Sequence, residues 1–268
     1  MTNQNPPIIH TKLDIHLWWA TATIIAINIG LFAWQVIAGM DVSNPSSADA
    51  IRWGADYAPL TFLAEPFRLF SSMFFHFGLI HLMLNMWALY IFGSIVEQLY
   101  GRWYFLGLYL LAGLSGSLLS GYISIQDSHT LLQSNTMIPE LLPRVGAGAS
   151  GAVMGLGASL TLLAILPALP RQKFILDKKT LIIVMAINLG MGFMISGINN
   201  AAHIGGMLMG IFLTLIWYFG QKFNKNKLLT WFGIITGSII CYLVYQYCLT
   251  QIEYVLPLWQ ALLAHLTN

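Results

Sequence analysis

Three short stretches of this chain carry side chains suited to nucleophilic and acid–base chemistry in otherwise apolar surroundings. The first is Gly146-Ala147-Gly148-Ala149-Ser150-Gly151. Glycines on both sides of a serine permit unusual backbone angles and close approach, and they expose N–H groups at a helix start, where the macrodipole favours developing negative charge. A hydroxyl placed there has part of an oxyanion hole beside it. The second is Ala202-His203-Ile204-Gly205-Gly206-Met207-Leu208-Met209-Gly210, in which Gly206 and Gly210 share the face of His203. That bare face lets its helix press against a glycine-rich neighbour, bringing imidazole towards hydroxyl. Imidazole is also the side chain whose proton affinity suits a general base near neutral pH. The third is His81 and Asn85, spaced i, i+4 on one helix face. Both can donate hydrogen bonds to a tetrahedral oxyanion.

Each stretch has a plainer reading. Gly151, Gly155 and Ala158 form a small-residue stripe of the kind that packs membrane helices, with Ser150 as an N-cap. An isolated intramembrane histidine serves elsewhere as a haem ligand, a proton relay or a packed, satisfied residue. His76, His81 and His203 could be drawn together by zinc, but the spacing from His76 to His81 leaves one helical face and no cysteine or acidic residue is near. Neither a metal nor an organic cofactor is therefore expected. The ten acidic residues all fall away from the depth of His203, so no buried aspartate is expected to orient the imidazole. In serine proteases with a full triad, disabling that aspartate lowers turnover about 10⁴-fold, or roughly 5.4 kcal/mol of barrier. The expectation is a slow Ser–His dyad held by helix packing.

The elements that must position these residues are membrane helices. Of the 268 residues 57% are hydrophobic and only 8% charged, against about 25% charged in soluble domains. Runs long enough to cross roughly 30 Å of hydrocarbon fall at about 16–39, 79–98, 102–125, 148–168, 180–197, 201–219 and 229–250. The reading is an all-α polytopic membrane protein with seven spans, residues 1–268 forming a single integral membrane domain. The first run is too long for a signal-peptide core and is read as a retained span. Residues 40–78, with Pro45, Pro59 and Pro66, are too long for a turn and form an extramembrane or interfacial element. Beyond the seventh span only a short tail is expected.

Basic residues set the orientation. With the N-terminus inside, the inner segments hold Lys12, Arg102, Arg171, Lys173, Lys178, Lys179, Lys222, Lys225 and Lys227, against Arg52, Arg68 and Arg144 outside. Residues 1–15 are then a cytoplasmic tail and 40–78 a long outer loop. Spans two, four and six all enter from outside, each with its distinctive polar residues in the first turns. Matching depth implies that they face a shared, water-accessible cavity. Cys241 and Cys248, seven apart on one helix, are too far apart for a disulfide.

These motifs resemble those of the rhomboid family. Gly148-Ala149-Ser150-Gly151 is similar to its GxSG nucleophile motif, Ala202-His203 with Gly206 and Gly210 to its AHxxGxxxG helix, and the segment from His76 through His81 to Asn85 to its HxxxxHxxxN pattern. The likeness covers residues 66–220, a six-helix core, with 229–250 as an additional seventh helix. It implies an intramembrane serine endopeptidase with Ser150 as nucleophile, His203 as general base, and His81, Asn85 and the Ser150 amide as oxyanion donors. Gly148, Gly151, Gly206, Gly210, Met154 and His76 would pack the site. The implied substrates are single-pass membrane proteins within a lipid bilayer, with no nucleic acid partner, and a bacterial inner membrane is the expected location. Met154 stands where relatives often carry an aromatic ring against the histidine, and Phe67-Arg68 where they often have Trp-Arg. Glu97 resembles an acidic residue that anchors the first loop. Two other readings stay open: a catalytically inactive rhomboid-like protein that grips membrane clients, and a His-lined proton or solute transporter.

Overall fold

In the computed structural model, residues 15–134, 136–169, 176–194, 198–223 and 226–267 are described. Eleven α-helices follow one another: α1 (Trp19–Ile37), α2 (Ser47–Arg52), α3 (Ala58–Leu63), α4 (Arg68–Ser71), α5 (Leu79–Tyr100), α6 (Arg102–Gln133), α7 (Ser150–Ile165), α8 (Lys178–Met194), α9 (Asn200–Lys222), α10 (Asn226–Gln251) and α11 (Leu256–Thr267). Two short strands, β1 (Asp56–Tyr57) and β2 (Val145–Gly146), complete the described elements. Five helices, α1, α5, α6, α9 and the stretch Leu228–Tyr254, are long and apolar enough to cross a membrane. The architecture is that of an all-helical membrane protein.

The fourth expected span is helical but shorter than 148–168, and the fifth is helical over Lys178–Met194, the rest of 180–197 lying outside the described residues. At 16 residues α7 is about 24 Å long, less than a typical hydrocarbon core. It needs no match to lipid thickness, because residues from Gly151 through Leu160 are buried without a break. A helix apolar all round belongs inside a bundle. The third helix errs the other way: α6 runs to Gln133, past the polar residues Gln126 to Thr130 that mark its expected end near 125. Protein replaces lipid as its cover there, since Trp259 of α11 is fully buried and donates from Nε1 to Ser128 Oγ at 2.9 Å. The short tail expected after the seventh span is thus, in part, a further helix. The tail 1–15, apart from Ile15, and Lys12, Arg171, Lys173 and Lys225 fall outside the described residues.

At the heart of the bundle helices touch backbone to backbone. A Cβ on Gly206 would lie 1.9 Å from the Gly151 carbonyl oxygen, and one on Gly210 2.2 Å from that of Gly155. On the neighbouring side, a Cβ on Gly116 of α6 would lie 2.6 Å from the Ala202 carbonyl oxygen. Small residues allow this approach, which replaces the hydrophobic drive that lipid does not supply. Further along α7 and α9 a buried polar knot adds specificity: Ser159 Oγ donates to Tyr100 Oη and Thr214 Oγ1 to Ser159 Oγ, each at 2.8 Å. Cys241 and Cys248 are both free and buried.

Residues 40–78 fold over the start of α5. Arg68, buried, donates through Nη1 to the carbonyls of Ile51 (2.7 Å) and Ala55 (2.9 Å) and pairs with Glu65 at 2.6 Å. One side chain so ties together two turns, joining the Gly54 amide on the Ile51 carbonyl. Glu97 has a different role from the expected loop anchor. Its carboxylate accepts from the amides of Ala20 and Thr21 (3.0 and 2.7 Å) and from the Thr21 hydroxyl (2.8 Å). It lies near the C-terminal end of α5, far from the loop, and caps the N-terminus of α1, where the dipole welcomes a negative charge.

Candidate active site

The cluster begins with the backbone before Ser150. Gly148 adopts φ +117°, a conformation that disfavours side chains, and a Cβ there would sit 2.8 Å from His81 Cε1 and 2.9 Å from Nε2. Glycine is thus required both by the turn and by the imidazole pressed against it. Three contacts from residues 56–76 hold this turn. β1 pairs antiparallel with β2, Asp56 opposite Gly146 and Tyr57 opposite Val145. The Gly148 amide donates to the Ser72 carbonyl at 2.8 Å, and the Ala149 amide makes a longer bond to His76 Nε2 at 3.4 Å. His76, fully buried, therefore positions the backbone beside Ser150.

His81 sits at the start of α5. The Phe77 amide donates to its Nδ1 at 3.2 Å, so that nitrogen is an acceptor and the ring proton resides on Nε2, the edge facing Gly148. Phe77 lies parallel to the ring, with centroids 6.4 Å apart and planes 10° from one another. One turn later Asn85 Nδ2 donates to the His81 carbonyl at 2.9 Å, which leaves its second hydrogen for another acceptor. His203 is only 6% exposed, and its Nδ1 has no hydrogen-bond partner among the described residues. The N-terminus of its helix is capped by the Asn199 side chain, which accepts from the Ala202 amide at 3.0 Å and donates to Ser120 Oγ at 2.6 Å.

Most of these groups border one cavity of about 930 Å³. Ser150, His203, His81, Asn85, Gly148 and Met154 line it, so the helix starts of α5, α7 and α9 converge on it. Gly151, Gly206 and Gly210 lie behind the cavity in the backbone contact of α7 with α9. Met154 is buried at the cavity wall and packs with Met185, Met207 and Ile211. His76 is held in the layer behind Ala149. Among the described residues no three His, Cys, Asp or Glu side chains are grouped to hold a metal ion.

Some of the lining was not foreseen. Asp56, Tyr57 and Ser72 reach it from the first loop and Leu266 from α11. Asp56 is turned inward, accepts from Thr61 Oγ1 at 2.6 Å, and burial pushes its carboxyl up to about 6. The only sequence signal for this loop packing was the cluster of prolines and aromatics. The pairing of β1 with β2 joins residues far apart along the chain and has no local signature.

Set beside known proteins, residues 63–220 match the Rhomboid domain. The chain is 27% identical over 267 residues to rhomboid protease AarA of Providencia stuartii, covering 94% of this chain and 92% of that protein. It is 34% identical over 195 residues to rhomboid protease GluP of Bacillus subtilis, covering 72% of this chain and 33% of the relative, and 33% identical over 193 residues to RHOMBOID-like protein 5 of Arabidopsis thaliana, at 70% and 56%. A family match over more than half the length, on a bundle whose motif residues meet at one cavity, identifies this chain as a membrane protein of the rhomboid family, homologous to the proteases AarA and GluP.

Proposed function

We propose that this chain is an intramembrane serine endopeptidase that hydrolyses peptide bonds in or near the transmembrane helices of membrane proteins, using Ser150 and His203 as a dyad. The observation that carries the reading is the single cavity bordered by a hydroxyl at a helix start, a buried imidazole and two donors from a third helix. Ser150 Oγ attacks the scissile carbonyl as His203 takes its proton. The Ser150 amide, the Nε2–H of His81 and the free Nδ2 hydrogen of Asn85 receive the oxyanion. His203 then returns the proton to the departing amine, and water drawn through the same cavity hydrolyses the acyl-enzyme. No carboxylate hydrogen-bonds His203 among the described residues, so its orientation falls to the close packing of α7 against α9.

In the bilayer the chain makes seven crossings with its N-terminus inside, α7 counting as a short crossing enclosed by its neighbours and α8 as a peripheral one of which only Met185 is buried. Residues 1–15 face the cytoplasm, 40–78 form the outer loop, 66–220 the catalytic core and 229–250 the added seventh span. Substrates are single-pass proteins whose helix unwinds at small residues, and the residence is a bacterial inner membrane. The decisive experiment compares the intact chain with Ser150→Ala and His203→Ala for cleavage of a single-pass substrate in detergent and for labelling by a serine-reactive phosphonate. Cleavage and labelling lost in both variants is the expected result; cleavage that survives Ser150→Ala refutes the reading.

A further inference from the structure

The helix α11 has no counterpart in the roles given above, yet it reaches the reaction cavity. Its middle is anchored: Trp259 is fully buried, donates to Ser128 Oγ at 2.9 Å, and lies 6.5 Å from the Phe62 ring, itself stacked on Tyr245 at 5.8 Å. These contacts tie α11 at once to α6, to α3 of the first loop and to α10. Leu266 is 51% exposed, yet it lines the same cavity as Ser150 and His203, together with Ser47 and Ile51 of α2 and Arg144. An apolar side chain carried by an anchored helix at the border of this cavity, with half its surface uncovered, is placed to meet whatever enters it.

We propose that α11 is a wall of the substrate entrance, and that Leu266 with Ile51 grips an apolar residue in the extramembrane flank of the membrane protein to be cut. The assignment rests on the proteolytic reading for what enters the cavity, and on the cavity lining for where it is gripped. Leu266 lies at the rim and touches no reacting group, so it sets substrate affinity and leaves the dyad alone. Rigid anchorage by Trp259 lowers the ordering cost of that contact, because the wall is already in place when the flank arrives.

The test uses the full chain in the Ser150→Ala background, which removes turnover, and a fluorescent single-pass peptide made with and without its extramembrane flank. Leu266→Asp should weaken binding of the flanked peptide about fivefold to tenfold, as expected for losing part of one buried leucine contact. Leu266→Met should restore it, and the trimmed peptide should bind both variants equally. In the chain with Ser150 intact, Leu266→Asp should raise KM and leave kcat and the rate of phosphonate labelling unchanged. Equal affinity for the flanked peptide in the parent and Leu266→Asp would overturn the proposal. So would a loss that persists with the trimmed peptide, which would assign Leu266 to packing. If the chain with Ser150 intact takes no phosphonate label, the proteolytic reading fails, while the binding comparison still decides the role of Leu266.

Discussion

The pair α7–α9 and the outlying helix α10 are both apolar, but they are held in place by different means. Along α7 every residue from Gly151 to Leu160 is buried, and Gly151 and Gly155 meet the backbone of α9 with no side chain between. In α10 only Cys241 and Cys248 are among the deeply buried apolar side chains, while Trp231, Phe232, Ile235, Ile239, Tyr242 and Leu243 face outward. Between α10 and helices α6 and α9 there remains an apolar gap of about 430 Å³, bordered by Leu119, Tyr122, Met209, Phe212 and Cys241. The centre is specified by shape at the level of main-chain atoms, whereas the periphery is specified only as greasy. Tolerance to substitution should follow that division.

The sharpest way to break the comparison is to make the same change in both places. Gly206→Ala puts a methyl group 1.9 Å from the Gly151 carbonyl oxygen. Backbone cannot yield as a side chain can, so about 3 kcal/mol of stability should go, and with it all measurable cleavage. Full activity at an unchanged melting temperature would show that α7 and α9 are not in such contact. Next in size is Asn85→Ala, which removes a donor without disturbing the glycine seam. Turnover should fall by about 10² to 10³, or less where His81 compensates, with substrate affinity unchanged. A change confined to affinity would take Asn85 out of the oxyanion site.

The first loop can be assigned to centre or periphery by pH. Burial raises the folded-state carboxyl of Asp56 from 3.8 to about 6, so the fold favours the protonated form. Its penalty is therefore absent below about pH 4, grows as pH rises to 6, and is complete above that. Amide exchange across residues 51–61, corrected for intrinsic rates, should be slower at pH 5 than at pH 7, and Asp56→Asn should flatten the difference. An unchanged profile in that variant would mean that another group sets the loop's pH response. The smallest effect belongs to Gly30→Ala on α1, where a Cβ meets nothing within 4 Å. Relief of glycine's backbone entropy should stabilise the chain by about 0.5–1 kcal/mol with cleavage unaltered. Destabilisation there would show that the outer helices are as closely specified as the inner pair.

Much of this was legible in the sequence for one physical reason: lipid forces helices to satisfy their own backbone, so apolar runs announce elements directly. The motif residues could be placed at one depth because each opens a helix entering from the same side. What escaped was non-local or terminal. A two-residue strand such as β1 carries no periodicity, and its partner lies beyond two long helices. Glu97 reads by resemblance as an anchor of the first loop, but its partners, the amides of Ala20 and Thr21, belong to another helix. The end of α6 was misjudged because hydropathy measures fitness for lipid, and there Ser128 and Leu131 are covered by protein. The helix α11, with its ordinary apolar residues and no capping signal, read as a tail.

The bridge between Asp56–Tyr57 and Val145–Gly146 also bears on how such a molecule is made. The turn that aims Ser150 is braced by a ribbon whose two halves leave the ribosome far apart in time, and the imidazole it needs is synthesised later still. Under the proteolytic function proposed above, a nascent chain carries Ser150 and His203 unarmed through insertion, and becomes a hazard to neighbouring proteins only once assembly is complete.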